Sequence, residues 1–202
     1  MFEVNSPISV VPKIGPKYQA TLEKLGIVTV ENLLYHFPFR YQDFTKIKPI
    51  NELQDGEVVT VKAILGSVQN IFTKNRKRIT KAKVLDHTGE LDIIWFNQHY
   101  IKNSLETGKT YNISGKVGTF DRKICFISPE MEPTSDVFSS DKTEAIHTGR
   151  LVPIYPETYG VSSKWLRSKI NFLLNSETDL KEFLPKEIIK EKNFTEINKA
   201  LN

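Results

Sequence analysis

The chemistry open to this chain is that of concentrated charge and exposed rings. In KNRKRITKAK, residues 74–83, six of ten positions are basic, and no Asp or Glu occurs from Val58 to Leu85. That window holds Lys62, Lys74, Arg76, Lys77, Arg78, Lys81 and Lys83 in a chain whose net charge is only +4, so the remainder is net acidic. Charge gathered in this way suits a polyanion, either nucleic acid or an acidic membrane surface. A few residues on, LDIIWFN ends in two adjacent aromatics, Trp95 and Phe96. A ring with a free face stacks an unpaired base for about 1–3 kcal/mol.

Other chemistry is thinly represented. His36, His87, His99 and His147 are scattered, with no pair at metal-ligand spacing. No nucleophile elbow of the G-x-S-x-G type occurs, and the single cysteine, Cys125, lies in an expected strand. One cysteine excludes an internal disulfide or thiolate metal site and fits a reducing cytoplasm. Gly108-Lys109-Thr110 looks like the end of a phosphate-binding loop, but Asn103 stands where the first glycine belongs, and a strand is expected to follow rather than a helix. No catalytic site, metal or cofactor is expected in these residues. The N-terminus lacks a secretory pattern and no apolar run is long enough for a membrane span, so the expectation is a cytoplasmic monomer with no membrane partner.

The elements that must position the charge and the rings follow from periodicity. Within residues 14–38, Pro16 suits a first helical position, Tyr18, Leu22 and Leu25 share a face, Gly26 is a stop, and Thr29 caps a second helix reaching toward Pro38. Two short helices with Ile14-Gly15-Pro16 at the entrance are either half of a helix-hairpin-helix, whose loop amides hold phosphate, or a small packing unit. From Glu57 the pattern alternates, and five strands are expected by Ile127, with one short helix between the third and fourth. Asp86-His87-Thr88-Gly89 makes a hairpin turn between the second and third. Three strands, a helix and two strands is the order of an OB-fold, a small barrel that binds oligonucleotides or oligosaccharides. The fold class is therefore α+β, a five-stranded OB-fold barrel flanked by short helices. The expected divisions are a helical unit at 1–50, the barrel at 51–130, a polar connector at 131–150, and an extended segment with an amphipathic helix capped by Ser162 or Ser163 at 151–202.

Strand parity assigns faces. If Val59, Val61, Ala63, Ala82, Val84, Leu91, Ile93, Trp95, Ile113 and Val117 fill the barrel, then Lys62, Lys81, Lys83, Asp92, Phe96 and Lys116 point outward. Trp95 and Phe96 cannot both be core in one regular strand. Phe96 beside lysines is a base-stacking candidate, and Tyr100, four residues on, supplies a second ring. Each has a plainer reading: lysines for solubility, Phe96 packed beneath a flanking helix, Tyr100 half-buried. The loop of Lys74, Arg76, Lys77 and Arg78 is harder to explain without phosphate, because neighbouring cations repel one another.

Several stretches carry a family resemblance: IGPKYQATLEKLGIVTVENLLYHFPFRYQD, LDHTGELDIIWFN, GKV, SPEME and LVPIYPETYGVSSKWLR. In this order they closely resemble the N-terminal wedge region of the RecG family, bacterial ATP-dependent branched-DNA helicases. The resemblance implies a wedge that binds replication forks and Holliday junctions in DNA repair and recombination, splitting strands while a separate motor pulls duplex. It implies base stacking by Phe96 and Tyr100, with Trp95 at a further aromatic position, and it implies ATP and Mg2+ for the full-length family. Partners implied are branched DNA and the helicase motor lobes; a single-strand-binding protein is a partner only in the protein-interaction reading below. The motor motifs are not in this sequence, so the chain is not expected to unwind DNA alone. Ser128 stands where the family usually has a histidine, and VPKIGP is less glycine-rich than the family's entrance to the first helix. A generic single-strand or RNA-binding OB module and a protein-interaction module are the alternative readings.

Overall fold

Residues 2–72, 78–134, 145–176, 178 and 180–201 are described in the computed structural model of the chain. Pro16 opens helix α1 (Pro16–Glu23), where its missing N–H costs nothing, and Gly26 follows at φ 75°, a left-handed backbone that favours glycine. Thr29 caps α2 (Val30–Leu34) reciprocally: its hydroxyl accepts from Asn32 N, and Asn32 Oδ1 accepts from Thr29 N. A short strand, β1 (Arg40–Asp43), then leads to the barrel.

Six strands follow: β2 (Val58–Phe72), β3 (Arg78–Leu85), β4 (Glu90–Phe96), β5 (Thr110–Phe120), β6 (Lys123–Ile127) and β7 (Glu130–Pro133). Their order is β2-β3-β4-β6-β5-β7, and a further β2–β5 pairing closes five of them into a barrel. All neighbours are antiparallel except β4 and β6. β2 serves two partners, pairing with β5 over Val58–Ile64 and with β3 over Ile64–Phe72. An irregularity in register between Leu65 and Ser67 lets it bend from one to the other. All ten residues assigned to the interior by alternation are buried in one cluster, joined by Leu65, Tyr111 and Phe126. The turn after β3 is set by Asp86, whose Oδ1 accepts from Thr88 N and Gly89 N while Oδ2 accepts from Ile50 N.

Two expectations need correction. The polar connector begins with a strand: β7 pairs with Tyr111–Ser114 of β5, and Met131 packs on the barrel. The carboxylate of Glu132 then gathers Ile146 N, His147 N and the Thr148 hydroxyl, so polar side chains rather than an apolar run hold this return. The expected helix after β4 is a single 3-10 stretch, His99–Asn103.

Strand β8 (Leu151–Ile154) pairs with β1, and α3 (Ser163–Leu174) follows, with the Ser162 hydroxyl accepting from Trp165 N. Helices α4 (Lys186–Lys192) and α5 (Ile197–Ala200) complete the described elements. By packing, the chain falls into two units, Tyr41–Val152 and Met1–Arg40 with Pro153–Asn202. This differs from the linear division expected above. Leu22, Ile27 and Leu33 from the first residues share a core with Leu166, Ile170 and Leu173, and Tyr18 stacks on Trp165 at 4.9 Å. Each terminal segment is short for a core of its own, and together they form one unit.

Candidate nucleic-acid interface

The β3–β4 register pairs Thr80 with Trp95 and Ile79 with Phe96, so the two aromatics face opposite sides of the strand. Trp95 is inside the barrel at 2% exposure and has no free face for a base, which removes it as a stacking candidate. Phe96 stands on the outer face at 40% exposure and meets Phe120 edge to face, ring centroids 6.1 Å apart. Beyond it, Asn97 turns the chain at φ 58°, its N–H donating to Arg78 O at 3.1 Å. The buried Thr80 hydroxyl donates between Asn70 Oδ1 (2.8 Å) and Gln98 O (3.1 Å), and Asn70 Nδ2 donates to His99 O at 3.3 Å. These bonds fix the 3-10 turn that presents Tyr100, which is 61% exposed rather than half-buried.

The cations divide into groups the sequence does not distinguish. Lys81 is paired with Asp92 at 2.7 Å and Lys83 with Glu90 at 2.7 Å, so each has its charge partly spent at home. Glu90 holds the Lys83 ammonium above the usual lysine range. Lys62 and Lys116 are exposed on the β2–β5 seam, opposite Asn112 and Val58. Arg78 is exposed, and its guanidinium lies over the Phe72 ring, 5.5 Å from the centroid. Lys74, Arg76 and Lys77 lie outside the described residues.

Two rings escape a reading by alternation. Phe72, at the far end of β2, is 69% exposed and directly opposite Arg78. Phe120 is opposite Lys123 across a turn whose central residues, Asp121 and Arg122, both have positive φ. Turns of that kind usually announce themselves through Asn-Gly or Asp-Gly, and Asp-Arg gives no such signal. Ile79 and Ile94 also lie on the outer side by register and are nonetheless buried, so this face has an apolar floor among its charges.

The other candidates for chemistry resolve into structure. Gly108 has φ 83° and its N–H donates to Leu65 O, Lys109 O accepts from Leu65 N, and the Lys109 ammonium pairs with Glu106. Those groups are used in the turn, and the stretch does not fit a nucleoside triphosphate. Cys125 is buried, and desolvation raises its thiol pKa above the ordinary value. Among the described residues no cluster of His, Cys, Asp and Glu could hold a metal, and no helix is long and apolar enough to cross a membrane. Gly15 caps α1 through its carbonyl, which accepts from Tyr18 N and Gln19 N, beside the buried Ile14.

With this geometry in place, comparison with known proteins is direct. The chain is similar to the ATP-dependent DNA helicase RecG of Thermotoga maritima, 30% identical over 203 residues, covering 98% of this chain and 25% of the relative. It is 31% identical to the Escherichia coli protein of the same name over 186 residues, 90% of this chain and 26% of that one. The chain thus spans about a quarter of the length of the curated relatives it matches. Among solved structures, RecG bound to a three-way DNA junction superposes with a TM-score of 0.78 at 29% identity, covering 100% of this chain and 27% of that one. Residues 7–175 match the family described as the RecG wedge domain, and the chain belongs to that family.

Proposed function

We propose that this chain is the branch-point wedge of an ATP-dependent DNA helicase. In this reading Phe96 and Tyr100 cap bases exposed where strands part, and Arg78 with its basic loop holds phosphates. The observation that carries it is the exposed Phe96 ring, fixed at the end of β4 and followed by an exposed Tyr100. The likeness to a RecG bound to a three-way junction supports branched DNA as the ligand. Stacking against an unpaired base does not depend on its sequence, and cations read phosphates alone, so recognition would follow DNA shape. The longer relatives are named ATP-dependent helicases. In our reading their motor, with ATP and Mg2+, supplies translocation while the wedge supplies strand separation in repair and recombination.

Titration of the chain with three-way junction, four-way junction, single strand and duplex, at two salt concentrations, tests the proposal. Tighter binding to both junctions than to duplex is expected. Equal affinity for junction and duplex refutes it, and preference for single strands indicates a generic OB module instead.

A further inference from the structure

We infer that the cavity beside the Phe96–Phe120 pair receives one unpaired nucleobase, the neighbour of the base stacked on Phe96. This rests on the branch-point reading above and adds a base site to those at Phe96 and Tyr100. Ile94 and Cys125, both buried, line the cavity, Phe120 forms a wall, and Lys81, Lys123, Asp92 and Asp121 bring two charges of each sign to it. Its volume is about 140 Å³. A water-sized atom needs roughly 10–15 Å³ on this measure, so on the order of ten non-hydrogen atoms fit. That is one base without its sugar, and well short of the roughly 300 Å³ at which pockets for larger ligands begin.

The chemistry of the lining matches a heterocycle with a polar edge. Asp92 Oδ2 takes the Lys81 ammonium at 2.7 Å, while Oδ1 has no hydrogen bond among the described residues. Lys123 is exposed and makes no ion pair among the described residues. A donor ammonium and accepting carboxylate oxygens therefore line the same cavity as the apolar Ile94. The Watson–Crick edge of each of the four bases carries a donor next to an acceptor, so the arrangement accepts any unpaired base. Phe96 and the cavity face the same way, because Asp92, Ile94 and Phe96 alternate along one side of β4.

The test is an abasic scan. Three-way junctions carrying a single abasic site, moved one nucleotide at a time through the branch, are titrated against the chain and its Phe96→Ala, Tyr100→Ala, Asp92→Ala and Lys123→Ala variants. Apart from any position whose sensitivity is removed by Tyr100→Ala, two adjacent positions are expected for the unaltered chain at which loss of the base weakens binding about tenfold. Phe96→Ala removes the sensitivity of one, and Asp92→Ala that of the other. Lys123→Ala, at an exposed site that leaves the ion pair intact, reduces the second by about threefold and serves if Asp92→Ala does not fold. Sensitive positions that answer only to Phe96→Ala or Tyr100→Ala, and to neither rim variant, overturn the cavity site and leave the wedge reading standing. No sensitive position at all overturns both.

Discussion

Replacing Phe96 by alanine separates an interface role from a core role by magnitude. The ring is 40% exposed, its contacts include the edge-to-face pair with Phe120, and its cross-strand partner is Ile79. A fully buried Phe→Ala change costs about 3–5 kcal/mol, so a ring this exposed should cost about 1–2 kcal/mol of barrel stability. For a unit the size of Tyr41–Val152, that lowers Tm by roughly 4–9 °C and leaves the chain folded at 25 °C. Loss of one stacked base costs about 1–3 kcal/mol in binding, or roughly 5–150-fold in Kd. Thermal melting by circular dichroism and junction binding by fluorescence anisotropy, on the same preparation, give both numbers. Phe96→Leu adds a control, since it restores apolar contact with Phe120 without restoring a face for a base. The reasoning fails if Phe96→Ala leaves junction affinity unchanged, if it unfolds the barrel at 25 °C, or if Phe96→Leu recovers full affinity.

Other expectations follow from the same geometry. Arg78→Ala should weaken junction and duplex binding alike and lower the slope of log Kd against log salt by about 0.9, measured by titration across salt concentrations. Trp95→Ala should destabilise the barrel by about 3–5 kcal/mol in urea unfolding, because the ring is fully enclosed in the core. Glu57 accepts from Lys48 at 2.8 Å, from Gln54 N at 2.7 Å and from Lys46 at 3.2 Å, and the bond from Lys48 leads in lowering its pKa from 4.5 to about 2. A carboxylate with a depressed folded pKa stabilises fully above its unfolded value, and that contribution is lost as pH falls from about 4.5 toward 2. Glu57→Gln should therefore cost about 1–2 kcal/mol at neutral pH in urea unfolding, with the gap to the unaltered chain closing across that acid window.

Alternation of residue types was enough to place the barrel interior and to set Trp95 and Phe96 on opposite sides, because the side-chain period of a strand is fixed by covalent geometry. The cap at Thr29 and the stop at Gly26 were legible because each acts within a few residues of itself, whereas the cap of α3 was narrowed only to Ser162 or Ser163, of which the structure uses Ser162. What escaped depends on contacts made at long range. The strand Glu130–Pro133 has no alternating apolar signature and exists because β5 offers it a free edge. The shared core of the two termini joins residues far apart in sequence. The neutralisation of Lys81 and Lys83 depends on β4 lying beside β3 in the observed register, which brings Asp92 and Glu90 within reach. Alternation could mark those lysines as outward but could not say how much of their charge is left for a phosphate.

In the wedge reading proposed above, the part that separates strands must bear load without yielding, and the double pairing of β2 bears on that. Force arriving at Phe72 or Arg78 enters a ribbon whose rungs run from Ile71–Ile79 back to Ile64–Leu85. A pull along those strands loads the rungs together in shear instead of peeling them one by one. The same backbone continues without a break into the pairing of Val58–Ile64 with β5, so the load passes into the barrel wall through a single covalent member. The irregularity between Leu65 and Ser67 is then the ribbon's root, the place where stiffness changes hands.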